Sequence, residues 1–191
     1  MANTLDHVSP ADRPLARARR EELAVRLERA LAAGNGATAA HCIHEMWMRG
    51  EMSITIERAL ERLWQRAADG IPDWLPMRYI DWLPRAYEIA LGFRGSARGR
   101  SNIYLVLLNY HDRRRCAYGV YVGMSRYSPA DRFDQHKAGI RASGSVLKRG
   151  LEVLAGPTLH LQRIKRAEAE RIEIELAEAL SSAGLLVKGG H

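Results

Sequence analysis

Two tyrosines, an arginine, a histidine and a glutamate occupy the second half of this 191-residue chain, in an order suited to attack on phosphodiesters. Tyr104 ends the tripeptide Asn102-Ile103-Tyr104, and Tyr121 opens Tyr121-Val122-Gly123. Arg132 and His136 follow four residues apart, hence on one face of a helix. Glu173 lies within Glu168-Ala169-x-x-x-Glu173-x-x-Leu176. Phosphodiester hydrolysis builds negative charge on the phosphoryl oxygens, which a planar guanidinium matches in a bidentate manner. A phenol with an ordinary pKa of about 10 is a poor base at neutral pH. A neighbouring cation, or a histidine to take the proton, makes it usable.

Each residue also has a plain structural reading. Tyrosines on strands are by default half-buried packing residues. Arg132 has Asp131 and Asp134 beside it as ion-pair partners. At about 100° per residue, Ala169, Leu176, Ala177 and Leu180 fall within roughly 60° of Glu173 on a helix. A carboxylate on that apolar stripe is costly unless paired or metal-bound. The helix alone leaves both options open: an ion pair with Arg166, or a metal ligand with Glu170 as the second candidate.

The ordered set of five pieces resembles the GIY-YIG nuclease superfamily over roughly residues 101–190. The resemblance implies a three-stranded antiparallel sheet with surrounding helices, and hydrolysis of DNA phosphodiesters. It implies one divalent cation, Mg²⁺ or Mn²⁺, held by Glu173, and one tyrosine that deprotonates the attacking water, with Tyr121 preferred over Tyr104. It implies that His136 relays or accepts that proton and that Arg132 neutralises the developing charge. The chain departs from the pattern in places. Asn102 stands for the first glycine, which asparagine's tolerance of unusual turn geometry permits. The two tyrosines are far enough apart for an extended hairpin. Met124 stands where many members carry lysine. The usual asparagine near the domain's end is missing, which leaves Lys188 or His191 as phosphate contacts in its place.

Charge is divided unevenly. Residues 94–191 carry 17 Lys+Arg against 9 Asp+Glu, a net of +8, whereas residues 1–93 carry 12 against 13. A basic half suggests a polyanionic partner, since phosphate neutralisation supplies much of nucleic-acid affinity. The expected backbone contacts are Arg113, Arg114, Arg115, Arg126, Lys137, Arg141, Lys148 and Arg149. The expected partner is DNA, single- or double-stranded, with room for a homodimer. The alternative is a non-catalytic nucleic-acid-binding module that keeps the fold. At this length the excision-repair members' extra domains do not fit, and a restriction-like, mobile-element or toxin-type nuclease suits the size better.

The elements that must position these residues fall into two halves. Helical stripes run over 14–31, 37–48 and from Ser53 as N-cap towards Gly70, with a short helix over 81–91 after three prolines. The glycine- and arginine-rich stretch 92–101 reads as a linker, giving a helical domain over 1–95 and a nuclease-like domain over 96–191. Beyond it the apolar period becomes extended. Strands are expected over 103–108, 117–124 and 158–164, and helices from Pro129 to 142, over 146–154 and over 167–182. The fold class is therefore α+β, a helical region plus a small, mainly antiparallel three-stranded sheet flanked by helices. His41-Cys42-Ile43-His44-Glu45 looks metal-like but lacks a second ligand cluster, so ordinary helix composition is expected there. Trp47, Trp64, Trp74 and Trp82 fall at core-like helical positions. Cys42 and Cys116 form no disulfide framework. With a polar N-terminus and no apolar run of membrane-spanning length, a cytoplasmic protein with no membrane partner is expected.

Overall fold

The structure is a computed structural model that describes residues 5–96, 98–111 and 117–190. The chain divides into two compact units, residues 1–84 and 85–191. The first is helical, with α1 over Arg20–Ala32, α2 over Gly36–Met48 and α3 over Ser53–Ala67. Leu23, Leu27 and Leu31 of α1 recur at helical spacing and are buried, as are Ile43, Trp47, Ile56, Leu60 and Leu63. Met52, not Ser53, takes the N-cap of α3. A further helix, α4, spans Leu83–Ala90, so most of it belongs to the second unit.

The His-Cys-Ile-His-Glu run is structural. Glu45 is held by Arg13 and Arg49 at 2.7 and 2.6 Å. The rings of His41 and His44 both lie against Trp74, at 4.8 and 5.6 Å between centroids. Among the tryptophans, Trp47 is buried and donates to the Ile80 carbonyl at 3.0 Å. Trp64 is exposed, against the expectation of a core position, and Trp74 and Trp82 are half-buried.

The second unit is α+β. After α4 come β1 over Asn102–Asn109 and β2 over Tyr118–Ser125, then α5 over Pro129–Lys137 and α6 over Gly144–Arg149. β3 over Gly150–Val153, α7 over Arg166–Ser182 and β4 over Val187–Gly189 complete it. The sheet has four strands in the order β3-β1-β2-β4, with β4 parallel to β2 and the other pairings antiparallel. The expected three-stranded, mainly antiparallel sheet is thus a four-stranded mixed one.

Two expected elements change type. Residues 146–154, expected as a helix, divide at Gly150, whose extended backbone ends α6 and starts β3. A Cβ there would come within 2.6 Å of the Val146 carbonyl, so glycine is needed for the chain to turn back onto β1. Residues 158–164, expected as a strand, are mostly a 3-10 helix over Gly156–Leu161, started by Pro157. In place of a ladder, the Gln162 amide donates to the Ile103 carbonyl at 2.7 Å, and only Ser101 and Ile164 bridge. No described helix is long and apolar enough to cross a membrane.

Candidate active site

β1 and β2 pair so that Tyr104 faces Gly123 and Val106 faces Tyr121. Side chains alternate along a strand, so both tyrosines stand on the same side of the sheet, diagonal to each other. Their ring centroids are 6.1 Å apart. Gly123 is the floor beneath them: a Cβ there would lie 2.7 Å from Tyr104 Oη and 2.7 Å from Tyr121 Cε1. The glycine of Tyr-Val-Gly is therefore required by the rings above it rather than by a turn.

α5 begins where Ser128 caps it through the Asp131 amide, with Pro129 in its first turn. It lays His136 over the two rings, buried, at 6.3 Å from Tyr104 and 5.8 Å from Tyr121 between centroids. His136 Nε2 is 3.0 Å from Tyr104 Oη, and its Nδ1 accepts from the Ser143 amide at 2.9 Å. With Nδ1 accepting, the ring's proton is on Nε2, so His136 donates to Tyr104. Burial, with the nearby Arg132 charge second, pushes the imidazole pKa down to about 4, so the ring is neutral at pH 7.

The nearby hydroxyls of Tyr104 and Ser143 act to lower the Tyr121 pKa. Donors run from the Ser143 amide through His136 to Tyr104, whose ring lies beside that of Tyr121. The Tyr104 and Ser143 hydroxyls favour the phenolate of Tyr121. Burial first, and the Glu173 charge second, act against them and hold the Tyr121 pKa above its ordinary value. Tyr104 is pushed up strongly, again mainly by burial. Tyr104 is almost wholly buried, whereas Tyr121 is half-buried. The sequence does not single out Ser143. Its only signal is a serine before the short α6, and its link to His136 is made by the fold.

Glu173 comes from α7, which lies against β1, β2 and β4. The expected partner Arg166 is taken by Glu170 at 2.8 Å, and Glu168 accepts from the Ser96 amide at 3.1 Å. Among the described residues Glu173 has no ion pair. Burial raises its pKa to about 7, Glu170 adds to the rise, and a backbone hydrogen bond from Met124 opposes it. No group of three His, Cys, Asp or Glu that could hold a metal occurs among the described residues. Glu173 nevertheless fits a single-carboxylate site, because Mg²⁺ keeps several waters and binds through one or two carboxylates plus substrate phosphates.

Arg132 is less free than its spacing suggests. It donates to the Gln135 side chain at 3.1 Å and to the carbonyls of Ile140 and Arg141 at 3.3 and 2.8 Å, not to Asp131 or Asp134. Its charge still reaches Tyr104, Tyr121 and His136.

Asn102 sits in a regular strand with no unusual backbone, so turn geometry is not its role. Its side-chain nitrogen donates to the Tyr127 carbonyl at 2.9 Å, and its oxygen accepts from the Arg163 amide at 2.9 Å. Of the expected backbone contacts, Lys137 donates to the carbonyls of Leu147 and Gly150, and Arg149 to that of Asn109 while lying 4.5 Å over the Tyr110 ring. Lys148 and Arg149 line a cleft of about 310 Å³ with Asn109 and His111. Arg126 is exposed, and so is Arg141. Arg113, Arg114 and Arg115 lie outside the described residues, as do Cys116 and His191. Lys188 stands opposite Tyr121 in the parallel pairing of β2 with β4.

No protein-family model, curated protein or solved structure matches this chain. Any assignment of function therefore rests on the chemistry and geometry of the site itself.

Proposed function

We propose that this chain is a metal-dependent endonuclease that hydrolyses DNA phosphodiester bonds by a GIY-YIG-type mechanism. The observation that carries the reading is the gathering around Tyr121 of Tyr104, His136, Ser143 and the unpaired carboxylate of Glu173, drawn from β1, β2, α5, the start of α6 and α7.

Tyr121, the less buried tyrosine, is the base. Its phenolate accepts the proton of the attacking water, while Tyr104 and Ser143 stabilise that phenolate by donation. His136 holds Tyr104 in place as a donor. With its proton already on Nε2, and Nδ1 committed to Ser143, it is not a proton acceptor. Arg132 supplies positive charge near the phosphoryl group. Glu173 is the residue that would hold Mg²⁺ or Mn²⁺, which when bound polarises the phosphate and stabilises the leaving oxygen. A cytoplasmic setting belongs to the same reading, with DNA as partner.

A non-catalytic DNA-binding module is the second reading, favoured by the commitment of Arg132 to the carbonyls of Ile140 and Arg141. One experiment separates the two: incubation of the full chain with supercoiled plasmid and with single-stranded DNA, in Mg²⁺, Mn²⁺ or EDTA. Nicking that EDTA stops supports the endonuclease. Binding without any cleavage in either metal overturns it in favour of the module.

A further inference from the structure

The loop between β2 and α5 carries a tyrosine for which the proposed chemistry has no use. Tyr127 is exposed, with 42% of its surface accessible, yet its backbone is pinned on both sides. Its amide donates to Ser125 Oγ at 3.1 Å, and its carbonyl accepts from Asn102 Nδ2 at 2.9 Å. Asn102 is in turn anchored by the Arg163 amide, and the next residue, Ser128, caps α5. A ring presented from a fixed backbone loses little freedom when a ligand covers it.

One cation lies against this ring. The Arg126 guanidinium carbon lies 5.4 Å from the ring centroid, and an Arg126 nitrogen is 3.4 Å from the hydroxyl. Arg132 donates to the Arg141 carbonyl at 2.8 Å, which ties the segment after α5 back to that helix. All three arginines draw the Tyr127 hydroxyl below its ordinary pKa, Arg126 most, then Arg141 and Arg132. Asn102 lies two residues before Tyr104 on β1, and Ser128 caps the helix that carries Arg132 and His136, so the exposed ring stands at the edge of the candidate active site.

We propose that Tyr127 is a stacking platform for an unpaired nucleotide of DNA beside the phosphate that is cut, with Arg126 and Arg141 contacting the flanking phosphates. The inference rests on the endonuclease reading and names its substrate class. An aromatic ring flanked by arginines accepts any base face and tracks the backbone by charge. Inside a duplex those faces are covered by neighbouring pairs, so the platform selects a strand with at least one unstacked base. It also accounts for asparagine at 102, since a glycine there would leave the Tyr127 carbonyl unheld.

The test measures binding of the full chain, in EDTA, to a labelled oligothymidylate and to a closed hairpin duplex of similar length, by fluorescence anisotropy. Tyr127→Ala should weaken oligothymidylate binding by about 5-fold to 100-fold. Tyr127→Phe keeps the ring and should stay within about twofold of the parent, which excludes a folding defect as the cause. Duplex binding should be nearly unchanged in both variants. If Tyr127→Ala binds oligothymidylate as tightly as the parent, or loses both ligands equally, the stacking role is overturned. In that case metal-dependent nicking by the parent leaves the endonuclease reading standing. If the parent neither binds nor cuts either DNA, the endonuclease reading falls and the platform falls with it.

Discussion

Glu173 is costly to the fold in its ionised form, and that cost can be measured. Its folded pKa of about 7 lies above the ordinary carboxylate value, mainly through burial. Between the two values the folded chain holds a proton that the unfolded chain has lost, so stability falls as pH rises through that window. Above pH 7 the whole cost is present. Glu173→Gln should therefore raise the melting temperature at pH 8 and leave it nearly unchanged at pH 4, in EDTA. Added Mn²⁺ should raise the parent's melting temperature but not the variant's, by preferential binding to the folded state. The same variant should lose metal-dependent nicking while still binding DNA. Normal cutting by Glu173→Gln would make the carboxylate a structural group only. For the base, Tyr121→Phe and Arg132→Ala should each slow cleavage by about 100-fold to 1,000-fold with little change in binding. Tyr104→Phe removes one donor and should cost less than Tyr121→Phe. The reverse order, measured in single-turnover assays, would move the base to β1.

The β1–β2 pair is the element on which the site depends, and Gly123 is its most constrained position. Any Cβ there would sit 2.7 Å from both tyrosine rings. Gly123→Ala should push Tyr104 away from His136, lower stability by about 1–3 kcal/mol and abolish nicking. Gly144→Ala serves as the control, because a Cβ at that helix start meets nothing within 4 Å. Equal behaviour of the two variants in thermal melts would mean that the rings are not packed over Gly123. These two strands and α7 were legible in the sequence because long apolar runs and helical stripes carry their own period. β3 was not, because Val146 to Leu154 contains no break apart from Gly150, and its pairing with β1 is a tertiary contact. β4 was not either, since Val-Lys-Gly is too short for any period to show. The site divides in the same way. The candidates Tyr104, Tyr121, His136 and Glu173 were visible from motif spacing, whereas Ser143 meets His136 across the turn between α5 and α6, and Tyr127 meets Asn102 on a different strand, contacts that no sequence period announces.

At the scale of the whole molecule, charge and core lie together in the second unit. Tyr104, Val106, Leu108, Tyr110 and Val146 form a buried cluster, with Tyr121, Phe133 and Leu186 against it. That cluster draws on β1, β2, α5, α6 and the approach to β4, all inside residues 85–191. A fragment over 81–191, which keeps α4 whole, should therefore fold alone and melt cooperatively. The excess positive charge, net +8 over residues 94–191, also stays within it. The fragment's DNA affinity should fall with salt as steeply as that of the full chain. The expected slope is about −0.9 per neutralised phosphate on duplex and about −0.7 on single strands. A fragment over 1–84, with its balanced charge, should show little DNA binding by the same titration. An unfolded 81–191 fragment would mean that the second unit needs the helices before it. A shallower slope than the full chain's would place part of the DNA contact on residues 1–80, and the N-terminal helices would then be a DNA-binding surface in their own right.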